Sequence, residues 1–170
     1  MKVGNYEFEI KSLKHLEYRS EETNCFSATL YVNGKKVADC GNSGHGGPTD
    51  VKFVPQYREM EREIEDFLKT QPKINFESYE FDRTLDYIVD ELVEELLKAK
   101  DFNKILKRTG KSLIFRDSQG TYYQIGWKKH TVDELLKTPS GRDMLKKTIA
   151  SHVTDGTILI NENIPSELLP

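Results

Sequence analysis

The sequence predicts an α+β fold: one antiparallel sheet packed against two long helices, with a C-terminal hairpin and short helices. Three observations predict it. Apolar and polar residues alternate through the early part of the chain, the period of strands with one buried face. From Pro55 the period lengthens to that of a helix. Beyond Gly110 a short alternation returns on both sides of a turn sequence, and further helical segments follow.

The first strand covers residues 6–10, where Tyr6, Phe8 and Ile10 face one way and Glu7 and Glu9 the other. Residues 20–24 are polar and read as a loop. Alternation resumes over 25–32, with Phe26, Ala28, Leu30 and Val32 on one face. Asn33-Gly34 follows, a strong hairpin signal, because both central positions of a type I′ turn need positive φ. The return strand runs over 35–40, and residues 51–54 read as a short fourth strand.

Pro55 suits the first turn of a helix. Tyr57, Met60, Ile64, Phe67 and Leu68 then share one face, opposite a dense set of charges, and Gln71-Pro72 ends the run. Residues 73–81 are assigned as extended chain. Asp82 is the expected N-cap of the longest helix. Its apolar stripe comprises Leu85, Ile88, Val89, Leu92, Val93, Leu96 and Leu97, with Glu94 and Lys98 as a favourable i,i+4 pair. Phe102, Ile105 and Leu106 prolong the pattern, and Gly110 is a stop signal.

Residues 113–116 and 122–125 form the second hairpin around Asp117-Ser118-Gln119-Gly120. Thr131 and Glu134 have the spacing of a capping box. Ser140 is the expected cap of a helix to about residue 151, residues 157–160 read as a last strand, and the tail with Pro165 and Pro170 is expected to pack loosely. The chain reads as a single domain over 1–170, divisible into 1–110 and 111–170. Whether the second hairpin extends the first sheet or forms a subdomain stays open at the level of sequence.

Composition narrows the class. With 31% charged residues, 36% hydrophobic residues and 17 aromatic side chains, the 170-residue chain can build a solvated surface over a real core. A net charge of -3 weighs against a general nucleic-acid binder but leaves local patches open. The start has no apolar run of a signal peptide, and no segment approaches the roughly 20 apolar residues of a membrane helix. Cys25 and Cys40 cannot make a disulfide framework, so they read as buried thiols of a cytoplasmic protein.

Chemistry concentrates in residues 41–50, Gly-Asn-Ser-Gly-His-Gly-Gly-Pro-Thr-Asp, which hold four of the chain's 11 glycines. Glycines permit positive φ and close backbone approach, and successive N–H groups can form a nest for an anion. The expected ligand-binding residues are Ser43, Gly44, His45, Gly46, Gly47, Thr49 and Asp50. Gly44, Gly46 and Gly47 supply N–H groups, while His45 and Thr49 supply side-chain contacts. The loop lacks the Lys-Ser/Thr ending of a P-loop and the dinucleotide-binding setting of a G-x-G-x-x-G turn, so no cofactor is named by it. The structural alternative is a tight crossover between sheet and helix. An enzymatic alternative makes His45 an acid/base in phosphoester chemistry, oriented by Asp39 or Asp50. Cys25, Cys40, His45 and His152 show neither C-x-x-C nor H-x-x-x-H spacing, and no metal site is assigned.

Charge is uneven along the chain. Residues 58–101 hold 14 Asp and Glu against seven Lys and Arg, whereas 102–150 hold 11 Lys and Arg against four Asp and Glu. Lys128, Lys129, Arg142, Lys146 and Lys147, near Tyr122, Tyr123 and Trp127, form a candidate surface for nucleic acid or for a protein partner. The favoured reading is a solvated basic surface above core aromatics.

The run Phe26-Ser27-Ala28-Thr29-Leu30-Tyr31-Val32-Asn33-Gly34-Lys35, followed by Asn42-Ser43-Gly44-His45-Gly46-Gly47-Pro48-Thr49-Asp50, resembles small uncharacterised proteins encoded by phages and prophages. The likeness covers about the first third of the chain and supplies no activity. It implies a context in which a protein of this size binds and blocks a host factor, such as a defence component, or sequesters a small signal. The expectation is therefore a non-enzymatic binding protein for an anionic, nucleotide-like ligand or a host macromolecule.

Overall fold

The computed structural model describes residues 1–76, 78–154 and 156–170. It is α+β, and its strand pairings are antiparallel. The chain divides into two compact units, 1–97 and 98–170, and the division falls within the second helix.

In the first unit β1 (Lys2–Val3), β2 (Tyr6–His15), β3 (Phe26–Val32), β4 (Lys35–Asn42) and β5 (Asp50–Phe53) form a five-stranded sheet whose spatial order is the chain order. Phe8 pairs with Val32 and Ile10 with Leu30, so the expected apolar faces are in register. Asn33 and Gly34 adopt φ of 50° and 77°, as the expected turn requires. The strand expected over 6–10 runs on to His15. Its continuation is disguised by a bulge between Lys11 and Lys14, where Ser12 takes φ 54° and the alternation slips by one. A second bulge in β4 places Val37 and Ala38 both in the core, where strict alternation would bury only one.

The helix α1 (Arg58–Lys69) follows a single 3-10 turn at Pro55–Tyr57 and seals Ile64 and Leu68 into the core. With 12 residues it is the shorter of the two helices expected over the sheet. Of the expected extended run over 73–81, β6 (Ile74–Phe76) and β7 (Tyr79–Phe81) pair antiparallel, and position 77 lies outside the described residues. The helix α2 (Leu85–Leu106) buries Leu85, Ile88, Val89, Leu92 and Val93 against the sheet residues. Leu96, expected in that stripe, is exposed. Asp82 is not the cap: the Thr84 carbonyl accepts the Ile88 N–H at 3.1 Å, and Asp82 stands 3.9 Å from Lys73 instead. The hairpin holds residues through Phe81 in extended form, so the chain needs residues 82–84 to turn into the helix.

In the second unit β8 (Leu113–Arg116) and β9 (Tyr122–Ile125) form the expected hairpin. It does not extend the first sheet. Together with the last strand, β10 (Ile158–Leu159), it makes a separate three-stranded sheet of order β10-β8-β9. Between β9 and β10 lie α3 (Val132–Leu135) and α4 (Pro139–His152). Thr131 and Glu134 form the reciprocal capping box. Thr138, not Ser140, caps α4: its hydroxyl accepts the Gly141 N–H at 3.1 Å, and Pro139 occupies the first turn. Leu113, Phe115, Val132, Leu135, Leu145 and Ile149 form the core, joined by Ile164 and Leu168. The tail is thus not loosely packed. Asn161 fastens it, accepting the Ile114 N–H at 2.7 Å and donating to the carbonyls of Thr109 and Ser112 at 2.9 and 3.0 Å.

Candidate ligand-binding site

The glycine-rich segment is a hairpin loop, not a crossover from sheet to helix. It leaves the end of β4 and returns into β5, which pairs back on β4 with Gly41 opposite Asp50. The loop is organised by Asn42, a buried residue whose amide makes four hydrogen bonds. Its Oδ1 accepts from the Thr23 hydroxyl at 2.8 Å and from the Gly44 N–H at 2.9 Å. Its Nδ2 donates to the Gly47 carbonyl at 2.9 Å and to Thr49 Oγ1 at 3.0 Å. The amide therefore substitutes for a backbone ladder where the loop has none.

Gly44 is required by shape. Its φ is +90°, and a Cβ there would run into the Arg19 carbonyl oxygen and the Cys25 side chain. Its own carbonyl accepts N–H groups from Glu21, Glu22 and Thr23. Gly46, also at positive φ, donates its N–H to Thr23 Oγ1 at 3.3 Å. The N–H groups expected to cradle an anion are thus engaged inside the loop at Gly44 and Gly46. At Gly47 a side chain would meet open space, and the φ is not positive.

The side chains of the loop separate into an exposed set and a buried one. His45 is exposed, and its Nδ1 lies 3.1 Å from Glu21. Neither expected orienting acid meets it: Asp39 pairs with Lys36 at 3.0 Å and Asp50 with Lys52 at 3.4 Å. Ser43 and Asp50 are exposed beside a shallow hollow that also involves Cys40. Cys40 is no nucleophile. Burial, aided by Asp39 and Asp90, pushes its thiol up to about 12, and its Sγ donates to the Ala28 carbonyl. Thr49 is the buried member. Its hydroxyl donates to Asp90 on α2 at 2.6 Å while accepting from Asn42. Desolvation raises the Asp90 carboxyl above the ordinary range, against the lowering effect of the Thr49 bond.

Pro48 and Thr49 line a cavity of the first unit, about 440 Å³ in volume. Its wall is made of three elements. The loop and β5 contribute Pro48, Thr49 and Val51; α1 contributes Glu61, Glu65 and Lys69; the turn into α2 contributes Arg83 and Thr84, and its first residues Leu85 and Asp86. That volume lies within the range of about 300–1,000 Å³ typical of small-molecule sites. Lys69 is already held by Asp66 at 2.9 Å. Arg83 is different: among the described residues its guanidinium has no ion-pair or hydrogen-bond partner, and its Nε is shut away from solvent. A buried N–H without an acceptor costs about 1–3 kcal/mol. Thr84, Leu85 and Asp86, where the chain enters α2, line the same cavity.

Arg83, Asn42, Thr23 and Asp90 were not among the residues singled out from sequence. Arg83 carried a signal all the same. A cation just before the first turn of a helix opposes the helix dipole, so it breaks a local electrostatic preference. Among the basic candidates, Arg142 donates its Nε–H to the Leu136 carbonyl at 2.7 Å and stands 3.6 Å from Glu167, and Lys147 pairs with Asp143 at 2.8 Å. No described helix is long and apolar enough to cross a membrane. No protein-family model, curated protein or solved structure matches the chain.

Proposed function

We propose that the protein is a non-enzymatic binding protein that sequesters an anionic, nucleotide-like small molecule in the 440 Å³ cavity of its first unit. The placing of Arg83 on the cavity wall, with no ion-pair partner among the described residues, is the observation that carries this reading. A phosphate or carboxylate in the cavity would pair with the cationic Arg83 guanidinium on its wall. The same wall holds Glu61, Glu65 and Asp86, so a bare anion would be repelled from part of it. A ligand with an anionic group at one end and hydroxyl or amine donors at the other satisfies both halves, as the phosphate, sugar and base of a nucleotide do. The glycine loop then acts as scaffolding: Asn42 and Gly44 fix its path, and Thr49 ties it to α2 beside the cavity. The likeness to small phage-encoded proteins favours capture of a signal over its conversion.

The test is calorimetric titration with a panel of mono- and dinucleotides, with the mixtures analysed for products. One nucleotide class is expected to bind and to be recovered unchanged. Arg83→Ala is expected to weaken it at least about tenfold, the scale of a lost charge-assisted hydrogen bond, without lowering the melting temperature. His45→Ala is expected to leave affinity nearly intact, because His45 faces Glu21 rather than the cavity. Binding that survives Arg83→Ala unchanged, or failure of the whole panel, refutes the proposal; turnover makes the protein an enzyme.

A further inference from the structure

We infer that the second unit is a separate binding surface for single-stranded nucleic acid, with one unstacked base lodged between Arg108 and the outer face of the β8–β9 hairpin. The inference is independent of the cavity around Arg83.

Charge comes first. Residues 98–170 hold 13 Lys and Arg against eight Asp and Glu, a net charge of +5, whereas residues 1–97 carry -8. A whole-chain charge of -3 conceals this division. Several of the unit's cations, including Arg108, Arg116, Lys128 and Lys129, have no acidic partner among the described residues, unlike Arg142 and Lys147.

The three-stranded sheet has two unlike faces. Phe115, Leu113 and Leu159 belong to the core with α3 and α4. Alternation puts Ile114, Arg116, Tyr122 and Gln124 on the other face, and the register confirms it, pairing Ile114 with Gln124 and Arg116 with Tyr122. Ile158 lies opposite Arg116 on the remaining strand and is exposed. A row of apolar, cationic and aromatic side chains therefore crosses all three strands. Beside it, Ile105, Arg108, Ile114, Tyr122, Tyr123 and Gln124 enclose a cleft of about 260 Å³. Phe102, an exposed aromatic, stands 6.1 Å from the Tyr122 ring.

Each group has a use toward one kind of partner. The cleft is below the roughly 300 Å³ where drug-sized ligands begin, so it takes one planar group rather than a whole cofactor. Tyr122 offers a ring for stacking, Arg108 a planar cation for stacking or phosphate, and Gln124 an amide with both donor and acceptor for a base edge. Arg116, in the next position across the sheet, can meet the backbone phosphate. A paired base within a duplex cannot enter such a cleft, which selects a single strand. An acidic peptide would use the cations but not the rings.

Fluorescence anisotropy with a labelled oligothymidylate and the intact protein tests this. Binding is expected at low ionic strength and should weaken steeply between about 50 and about 200 mM salt. Arg108→Ala and Tyr122→Ala should each cost at least about fivefold in affinity, and Tyr122→Phe should restore it, since stacking needs the ring and not the hydroxyl. The same sequence as a duplex should bind more weakly. Arg83→Ala should have no effect, which keeps this result distinct from the cavity reading. Absence of binding at low salt overturns the inference. So does competition by polyglutamate as effective as unlabelled oligothymidylate, or a Tyr122→Ala protein that folds and binds like the wild type.

Discussion

Replacing Asn42 by alanine is the most informative single perturbation of the first unit. The amide makes four hydrogen bonds, and those to the Gly44 N–H and to Thr49 are buried. Alanine removes all four and leaves the Gly44 N–H inside the protein without an acceptor. An ordinary bond contributes about 0.5–1.5 kcal/mol net, and an orphaned buried donor costs about 1–3 kcal/mol. Water can reach the exposed Gly47 carbonyl, and Thr49 keeps Asp90, so those two losses are partly recovered. The expected destabilisation is about 3 kcal/mol. For a chain of this size that lowers the melting temperature by roughly 10 °C. Urea unfolding followed by circular dichroism should show a lower midpoint at unchanged slope, with His45→Ala as the control within about 0.5 kcal/mol of wild type. An Asn42→Ala protein within about 1 kcal/mol of wild type would falsify the claim that this amide organises the loop.

Two further predictions concern the same region. Gly44→Ala should be destabilised by more than about 2 kcal/mol, combining strain at positive φ with the collision at the Arg19 carbonyl, whereas Gly47→Ala should melt like wild type. Equal melting temperatures for the two variants would refute this. The Cys40 thiol, raised by burial from 9.0 to about 12, stays protonated in the native protein and should resist Ellman's reagent until the chain unfolds. Because the folded state holds that proton more tightly, stability from this group falls as pH rises above 9.0. Cys40→Ala should flatten that part of the alkaline stability profile, and rapid labelling of native Cys40 at neutral pH would contradict its burial.

What was legible in the sequence was local. Alternation located the first half of β2, β3 and most of β4, Asn33-Gly34 located the turn between the last two, and Thr131 with Glu134 located a helix start to the residue, whereas the two-residue β1 was not expected. Bulges hid the far end of β2 and the double burial of Val37 and Ala38, because one inserted residue inverts the very pattern being read. Cap assignments at Asp82 and Ser140 missed by two residues, since neighbouring constraints, a hairpin in one case and Pro139 in the other, moved the helix start. The glycine loop was visible, but its partners were not. Thr49 meets Asp90 across 41 positions, and Asn161 meets Thr109 across 52. Such contacts leave no local periodicity. The wall around Arg83 gathers three distant segments for the same reason, and only its misplaced charge hinted at it.

The five-stranded sheet has one further consequence, for how the chain reaches its fold. Each strand pairs with its neighbour in sequence, so every pairing closes a short loop and gives up little chain entropy before it is rewarded. The meander can zip from the Asn33-Gly34 turn outward while the helical half is still unformed. Its open face, lined by Phe8, Leu30 and Val32, is then a transient hazard until α2 covers it. The Thr49–Asp90 bond joins the loop of the meander to α2, so it forms only once both are in place.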